Sequence, residues 1–342
     1  MNKALVQLTV TRVREIFRQP EAIFWTFLFP VLMSVVLGVA FRSERPDPSA
    51  AVVVEGRGAD LLEAALRGDA AVRVERMDAE AANARLRAGR AAILLIPGDP
   101  VTFRFDPTRP ESEVARVRVN AAVQRAAGRI DPIAVREERV NERGSRYIDF
   151  LVPGLLGMNL MGGGLWGIGW TIVEMRIRKL LKLQLTTPMR RRDFLLSHVL
   201  VRLVFIPLEV LPLLFLSFLL FDVRVAGSLG AVALVSCLGA ISFAGLGTLI
   251  ASRARTTGTI SGLINLCSLP MFVLSGVFFS TARFPEMLQP WIRALPLTAL
   301  IDALRSVMGE GATIAAIGPQ LILLALWGVA SFAVALRVFR WS

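Results

Sequence analysis

The sequence predicts a polytopic α-helical membrane protein of six transmembrane helices, with a small α/β domain inserted after the first. Two observations carry this fold class. The 342-residue chain has a mean hydropathy of +0.57, high for a water-soluble chain of this length. Several uncharged stretches exceed the 18 residues that mark a spanning helix, while residues 42–147 form a separate polar block with 19 Arg and 17 Asp or Glu. Net charge is +12, and all but Lys3, Lys179 and Lys182 of the 39 basic residues are Arg. Outside the polar block these cluster in short loops beside apolar runs, which is the pattern of membrane topology and argues against nucleic-acid binding.

Residues 1–20 read as an amphipathic interfacial helix. Leu5, Leu8, Val13, Ile16 and Phe17 recur at near-helical spacing with Arg12, Arg14 and Arg18 between them, a cationic face suited to membrane lipid headgroups. The first span follows within 21–41: the uncharged stretch Ala22–Phe41 is about 30 Å long as a helix, and Pro30 inside it is tolerable in a membrane. The run follows an amphipathic segment and has no convincing cleavage site, so it reads as a span, not a cleaved signal peptide.

The block 42–147 alternates strand-like and helix-like runs. Ala50–Val54 and Ala91–Ile96 read as buried strands, and Val72–Val74 and Val101–Phe105 as weaker ones. Asp60–Arg67 and Asp78–Arg87 read as helices opened by an acidic residue, and Glu111–Ala127 as a longer helix. Asp99, Asp106 and Glu111 lie near turns, where nothing orients them as an acid–base pair.

From 148 to 342 the chain supplies spans two to six. Span two, Phe150–Val173, is rich in glycine (157, 162, 163, 164, 167 and 169), so it packs closely against protein or bends there. Residues 174–193 hold seven basic and two acidic residues with Leu180, Leu181, Leu183 and Leu185 between them. Span three, 194–221, carries His198, Arg202 and Glu209. Spans four, five and six read as 225–252, 257–282 and 317–336. The segment 283–310 is too charged for a simple span and too apolar for a free loop, and reads as re-entrant or amphipathic helices. Basic clusters before span one and after spans two, four and six place both termini in the cytoplasm and 42–147 outside.

The motifs of chemistry are mostly missing. There is no GxxxxGK[ST], so this chain has no phosphate cradle and no ATPase of its own. No catalytic triad or metal cluster stands out. Cys237 and Cys267 read as small buried hydrophobes, His198 as a polar helix-end residue, and Ser275 as a helix-packing residue. Glu209 is an ionisable group deep in a span: it lines a transport path or relays protons, or it pairs with Arg202, seven residues away and distant for direct contact. Asp302 and Arg305 are spaced for a local i,i+3 ion pair or for support of an external gate.

Three regions then resemble the ABC-2 type permeases. The first is YIDFLVPGLLGMNLM, Tyr147–Met161, with Pro153 and Gly154. The second runs from Glu174 through Leu185 to Thr187, Pro188, Arg190, Arg191 and Arg192. The third is LSGVFF, with Ser275, Gly276 and Phe279, followed by PLTALIDALR, which holds Asp302 and Arg305. Two departures are visible: Ser280 stands where the family often has Pro, and Arg176, Ile177 and Arg178 stand where many members have glycine. The resemblance implies a dimer of permease subunits, taken as two like copies, bound to two ATP-binding subunits that hold ATP and magnesium. It implies that 174–193 includes the coupling helix, and that the N-terminal helix is an elbow at the membrane surface. It also implies export of amphiphiles such as drugs, antibiotics, lipids or glycans. Residues 153, 154, 163, 209, 275, 276, 279, 302 and 305 are then candidates for the transport path or its gating, and the external domain is free to meet substrate or a periplasmic accessory protein. An ion-gradient transporter or channel, and a membrane sensor or assembly protein with a ligand-binding external domain, are the competing readings.

Overall fold

The computed structural model describes residues 3–18, 20–24, 28–40, 49–68, 72–129, 146–185 and 191–339. The chain divides into two compact units, one formed by 1–42 with 140–342 and the other by 43–139.

The first unit begins with helices α1 (Lys3–Phe17), α2 (Pro20–Ile23) and α3 (Phe29–Ala40). Arg14 and Arg18 are exposed. Arg12 is not: it is buried and donates to the Met175 sulfur. The helix lies on protein at that position, so one of its three cations serves packing and not headgroups. Of the expected span Ala22–Phe41, residues 25–27 and 41 lie outside the described residues, and the described apolar part, Phe29–Val39, is shorter than a full span.

The second unit is the α/β domain. Its elements run β1 (Ser49–Val54), α4 (Ala59–Arg67), β2 (Val72–Met77), α5 (Ala79–Arg87), β3 (Ile93–Ile96), β4 (Thr102–Phe105) and α6 (Pro110–Ala126). The strands form one sheet in the order β2-β1-β3-β4, parallel except for β4. Alternation along the strands gives the sheet two apolar faces. Ala51, Val53, Ile93 and Leu95 meet Leu62, Leu66, Ala115 and Val119 on one side. Val52, Val54 and Leu94 meet Ala82 on the other. Asp78 caps α5, accepting from the Ala81 N–H at 2.8 Å. Asp106 is a turn residue: the Thr108 N–H and hydroxyl both donate to it, which holds its carboxyl below the usual carboxylate range.

The first unit resumes with α7 (Tyr147–Gly162), a π-helix (Gly163–Trp170) and α8 (Thr171–Ile177), which together make span two, then α9 (Leu180–Leu185). Span three is α10 (Arg191–Phe221) and span four is α11 (Leu229–Ala251). Span five is α12 (Thr257–Leu274), and two 3₁₀ turns, α13 (Gln289–Ala294) and α14 (Pro296–Glu310) lead to span six, α15 (Gly318–Val338). Among the described residues five helices are long and apolar enough to cross a membrane, and the chain is a polytopic α-helical membrane protein with an inserted β-sheet domain.

Span two, Tyr147–Ile177, overruns its expected 150–173 at both ends, and the boundaries of spans four and five shift for visible reasons. Span four starts at Leu229 and not at 225, because the Ala226 and Gly227 N–H groups bond to the Met308 and Val307 carbonyls and Ser228 caps the helix. Span five stops at Leu274 and not at 282, because Gly276 takes φ 77°, a left-handed conformation that ends an α-helix. The segment after it holds one substantial helix, α14, whose residues from Pro296 to Ile301 are all buried.

Candidate functional site

Three stretches far apart in sequence meet around the start of span two. The Tyr147 hydroxyl donates to the Phe278 carbonyl at 2.9 Å. Gly154 lies against the Val277 backbone, where a Cβ would sit 2.5 Å from the Val277 oxygen. Gly157 lies against the Ile301 side chain of α14, where a Cβ would sit 2.7 Å from its Cγ1. Arg305 of α14 closes the arrangement: it donates to the Phe150 carbonyl at 3.3 Å and to the Gly276 carbonyl, and its guanidinium lies 3.5 Å from the centre of the Phe150 ring. The expected Asp302–Arg305 ion pair is absent among the described residues. The Arg305 guanidinium reaches instead for two carbonyls, acceptors fixed in place by the backbone. Beside this cluster Arg146 holds Asp149 through two bonds of 2.9 Å and donates to the Phe221 carbonyl at 2.8 Å, joining span two to the end of span three.

Deeper in the bundle, Arg202 and Glu209 form a buried bidentate ion pair, and Arg202 also donates to the Leu160 carbonyl at 3.2 Å. Seven residues is about two helical turns, some 10 Å of rise. The pair spans it because the Glu side chain leans toward the helix N-terminus and Arg supplies the remaining length. The guanidinium occupies the space a side chain at Gly163 would need.

Gly163, which opens the π-helix, faces the Arg202 side chain, and its neighbour Gly164 faces main chain. A Cβ there would lie 2.5 Å from the Phe243 Cβ and 3.0 Å from the Ala244 nitrogen of α11, while Gly247 of α11 meets the Gly164 carbonyl. Small residues bring the two backbones into contact, as membrane helices require when water cannot drive packing. Gly164→Ala is therefore expected to lower stability by about 1–3 kcal/mol. Gly167→Ala, with no atom within 4 Å of the new carbon, is expected to leave it unchanged. Thermal melts of the two purified variants check this.

At the opposite end of span two, Arg176 donates to the Ala251 carbonyl at 2.7 Å, to the Ser252 carbonyl at 3.2 Å and to the Ala254 carbonyl. These are carbonyls at the C-terminus of α11, where a helix leaves acceptors unmatched and its dipole favours a cation. The same guanidinium lies 5.3 Å from the centre of the Phe339 ring, just past span six. Lys179, at φ 58°, then turns the chain into α9, which buries Leu181 and exposes Leu180 and Leu183.

A family model described as "ABC-2 family transporter protein" matches residues 20–337, nearly the whole chain. The chain belongs to this family. It is a membrane permease. A comparison with curated proteins finds none that matches.

The structure places the other candidates of the permease as follows. Pro153 is buried inside α7. Ser275 is buried at the end of α12, and Phe279 packs on Phe284 with ring centres 5.8 Å apart. Glu174 makes an exposed 2.6 Å pair with Arg178. Thr187, Pro188 and Arg190 lie outside the described residues, as do the side chains of Leu185, Arg191 and Arg192. Among the described residues no group of three or more His, Cys, Asp or Glu could hold a metal, and both cysteines are free thiols.

Sequence reasoning missed Arg146, Gly247 and the cap formed by Arg176, and from the span-two glycines it singled out Gly163 where Gly164 makes the backbone contact. Arg176 was hidden by its company, since a run of seven basic residues reads as one charged surface. The one signal was the departure over 176–178, a stretch in which many members of the resembling family have a glycine and this chain has none.

Proposed function

We propose that this permease moves an amphiphilic substrate (a drug, antibiotic, lipid or glycan) outward across a bacterial cell membrane, powered by a separate ATPase subunit. Two like permease subunits bind two such ATPases, which hold the ATP and magnesium. Both termini lie in the cytoplasm and residues 42–147 outside, a reading supported by the basic clusters. Segment 174–193 is the coupling element.

The observation that carries this reading is the pairing of Arg176 with α9. Arg176 fastens the end of span two to the ends of spans four and six, and α9 hangs directly from it with Leu180 40% and Leu183 64% exposed. A short helix that presents two leucines beside Lys179 and Arg178 suits an apolar socket on a soluble partner. A push delivered there enters the bundle through the Arg176 bonds. Ion-gradient transport is less well supported, because Glu209, the carboxylate that suggested it, is bound at both oxygens by Arg202.

The test uses the permease co-purified with the ATPase encoded beside it, in lipid nanodiscs. The double variant Leu180→Ser with Leu183→Ser is expected to remain a folded permease and to lose at least about tenfold in ATPase affinity, since two exposed leucines each contribute roughly 1–2 kcal/mol when covered. Unchanged binding and unchanged substrate flux in that variant would remove α9 as the coupling element. Substrate-stimulated ATP turnover and outward flux in the wild type would exclude a sensor that moves nothing.

A further inference from the structure

A groove of about 750 Å³ lies between the end of span three and the start of span four. Its walls are apolar: Leu211, Leu214, Phe215 and Phe218 from α10, Val225 from the connecting loop and Leu229 from α11. Arg224, in the same loop, is the only charged residue that lines it among the described residues. The groove opens away from the bundle. Only 33% of the apolar stretch of span three is buried within the chain, and Phe215 and Leu229 are 62% and 64% exposed. Its depth in the bilayer follows from the chain. α10 stops at Phe221 after a long apolar run, so the loop lies where hydrocarbon gives way to headgroups, and the groove descends from it.

The loop aims Arg224. α10 ends in a left-handed cap: Asp222 takes φ 51°, its N–H donates to the Phe218 carbonyl at 2.9 Å, and the Val223 N–H donates to the Ser217 carbonyl at 3.2 Å. Glycine or asparagine is the usual residue at such a position, and a carboxylate beside the negative end of a helix dipole is unfavourable. What Asp222 contributes is an acceptor for the Arg224 Nε, at 2.9 Å. The guanidinium also lies 5.7 Å from the centre of the Phe218 ring. It is thus fixed on two sides, while its two terminal nitrogens bond nothing among the described residues. A guanidinium held by Nε presents those nitrogens as a fork, the geometry that matches two oxygens of a phosphate.

We propose that this groove is a phospholipid site: the phosphodiester of one lipid lies on the two terminal nitrogens of Arg224, and one of its acyl chains fills the trough between Phe215, Phe218 and Leu229. A free phosphate would leave the apolar walls bare, and a bare hydrocarbon chain would leave the oriented cation without its anion. A phospholipid joins the two at the spacing the groove offers, with the charge at headgroup level and the chain below it. Recognition runs through the phosphate and the chain, so the alcohol of the headgroup is free to vary. The bound lipid bridges the ends of spans three and four, whatever substrate the permease moves.

The experiment is photolabelling of the full chain in phosphatidylcholine nanodiscs, with adducts mapped by mass spectrometry. Two probes carry the same diazirine-tailed acyl chain, one on phosphatidylcholine and one on diacylglycerol, which lacks the phosphate. Labelling at Phe215, Phe218 and Leu229 is compared with labelling at Ile322, which is exposed near the same end of span six. Relative to Ile322, the groove is expected to favour the phosphatidylcholine probe at least about tenfold, the scale of a hydrogen-bonded charge. Arg224→Gln is expected to abolish that preference and leave the melting temperature unchanged, because Arg224 is more than half exposed. Leu229→Trp, which fills the trough, is expected to lower labelling by both probes. Equal preference at the groove and at Ile322 would overturn the site, as would a preference that survives Arg224→Gln. Labelling unchanged in Leu229→Trp would overturn the seat of the chain. A groove that neither probe labels while both label Ile322 would mean that a protein segment covers it, and would overturn the proposal as well.

Discussion

Glu209→Leu is expected to destabilise the permease by about 3–5 kcal/mol, and adding Arg202→Met to return most of the loss. The single change leaves a guanidinium buried in the bundle with its counter-charge gone, bonded only to the Leu160 carbonyl. The double change replaces two desolvated ions by apolar groups of similar length. Thermal unfolding followed by tryptophan fluorescence reads the difference, and flux measured on the same proteins adds a second answer. A double variant that is stable and still transports assigns the pair to structure. One that is stable and no longer transports assigns it to the transport path. Equal stability of wild type and Glu209→Leu would mean the pair does not form as the geometry shows.

Arg305→Met is expected to cost about 2–4 kcal/mol, because it removes a charged donor from the Phe150 and Gly276 carbonyls and the cation from the Phe150 ring. Arg305→Lys should recover little of this. An ammonium cannot lie flat on a ring and fork to two carbonyls at once. Asp302→Asn should change stability by less than about 1 kcal/mol, since no ion pair to Arg305 is made. The melting temperatures of these three variants separate a bridge between segments from the local i,i+3 pair that the spacing suggests. A large loss from Asp302→Asn together with a small one from Arg305→Met would restore the local pair.

The fold was legible where a single period carries the signal. Ala50–Val54 and the Asp78 cap were readable because strand alternation and capping are local. Five of the spans were readable because long apolar stretches have few other uses. Boundaries failed where a distant residue decides them: Met308 and Val307 hold the loop that delays span four. The candidate site was legible as three motifs and illegible as a contact. Tyr147, Gly276 and Arg305 stood out individually, but nothing in their spacing says that Arg305 bonds the Phe150 carbonyl of the first motif and the Gly276 carbonyl of its own. Backbone acceptors leave no mark in a sequence, since every residue has one. The same holds for Gly164, whose need for a bare α-carbon is set by Phe243 some eighty positions later.

That choice of acceptor has an evolutionary consequence. Arg176, Arg202 and Arg305 each tie span two to another segment through at least one main-chain oxygen. A carboxylate partner disappears with one substitution, but a carbonyl survives any replacement of its side chain. Drift at Ala251, Leu160 or Phe150 therefore leaves each joint its main-chain acceptor, while Glu209 must stay to hold Arg202 and an aromatic ring at 150 to hold Arg305. Such a bundle tolerates more variation on the receiving side of its joints than on the donating side.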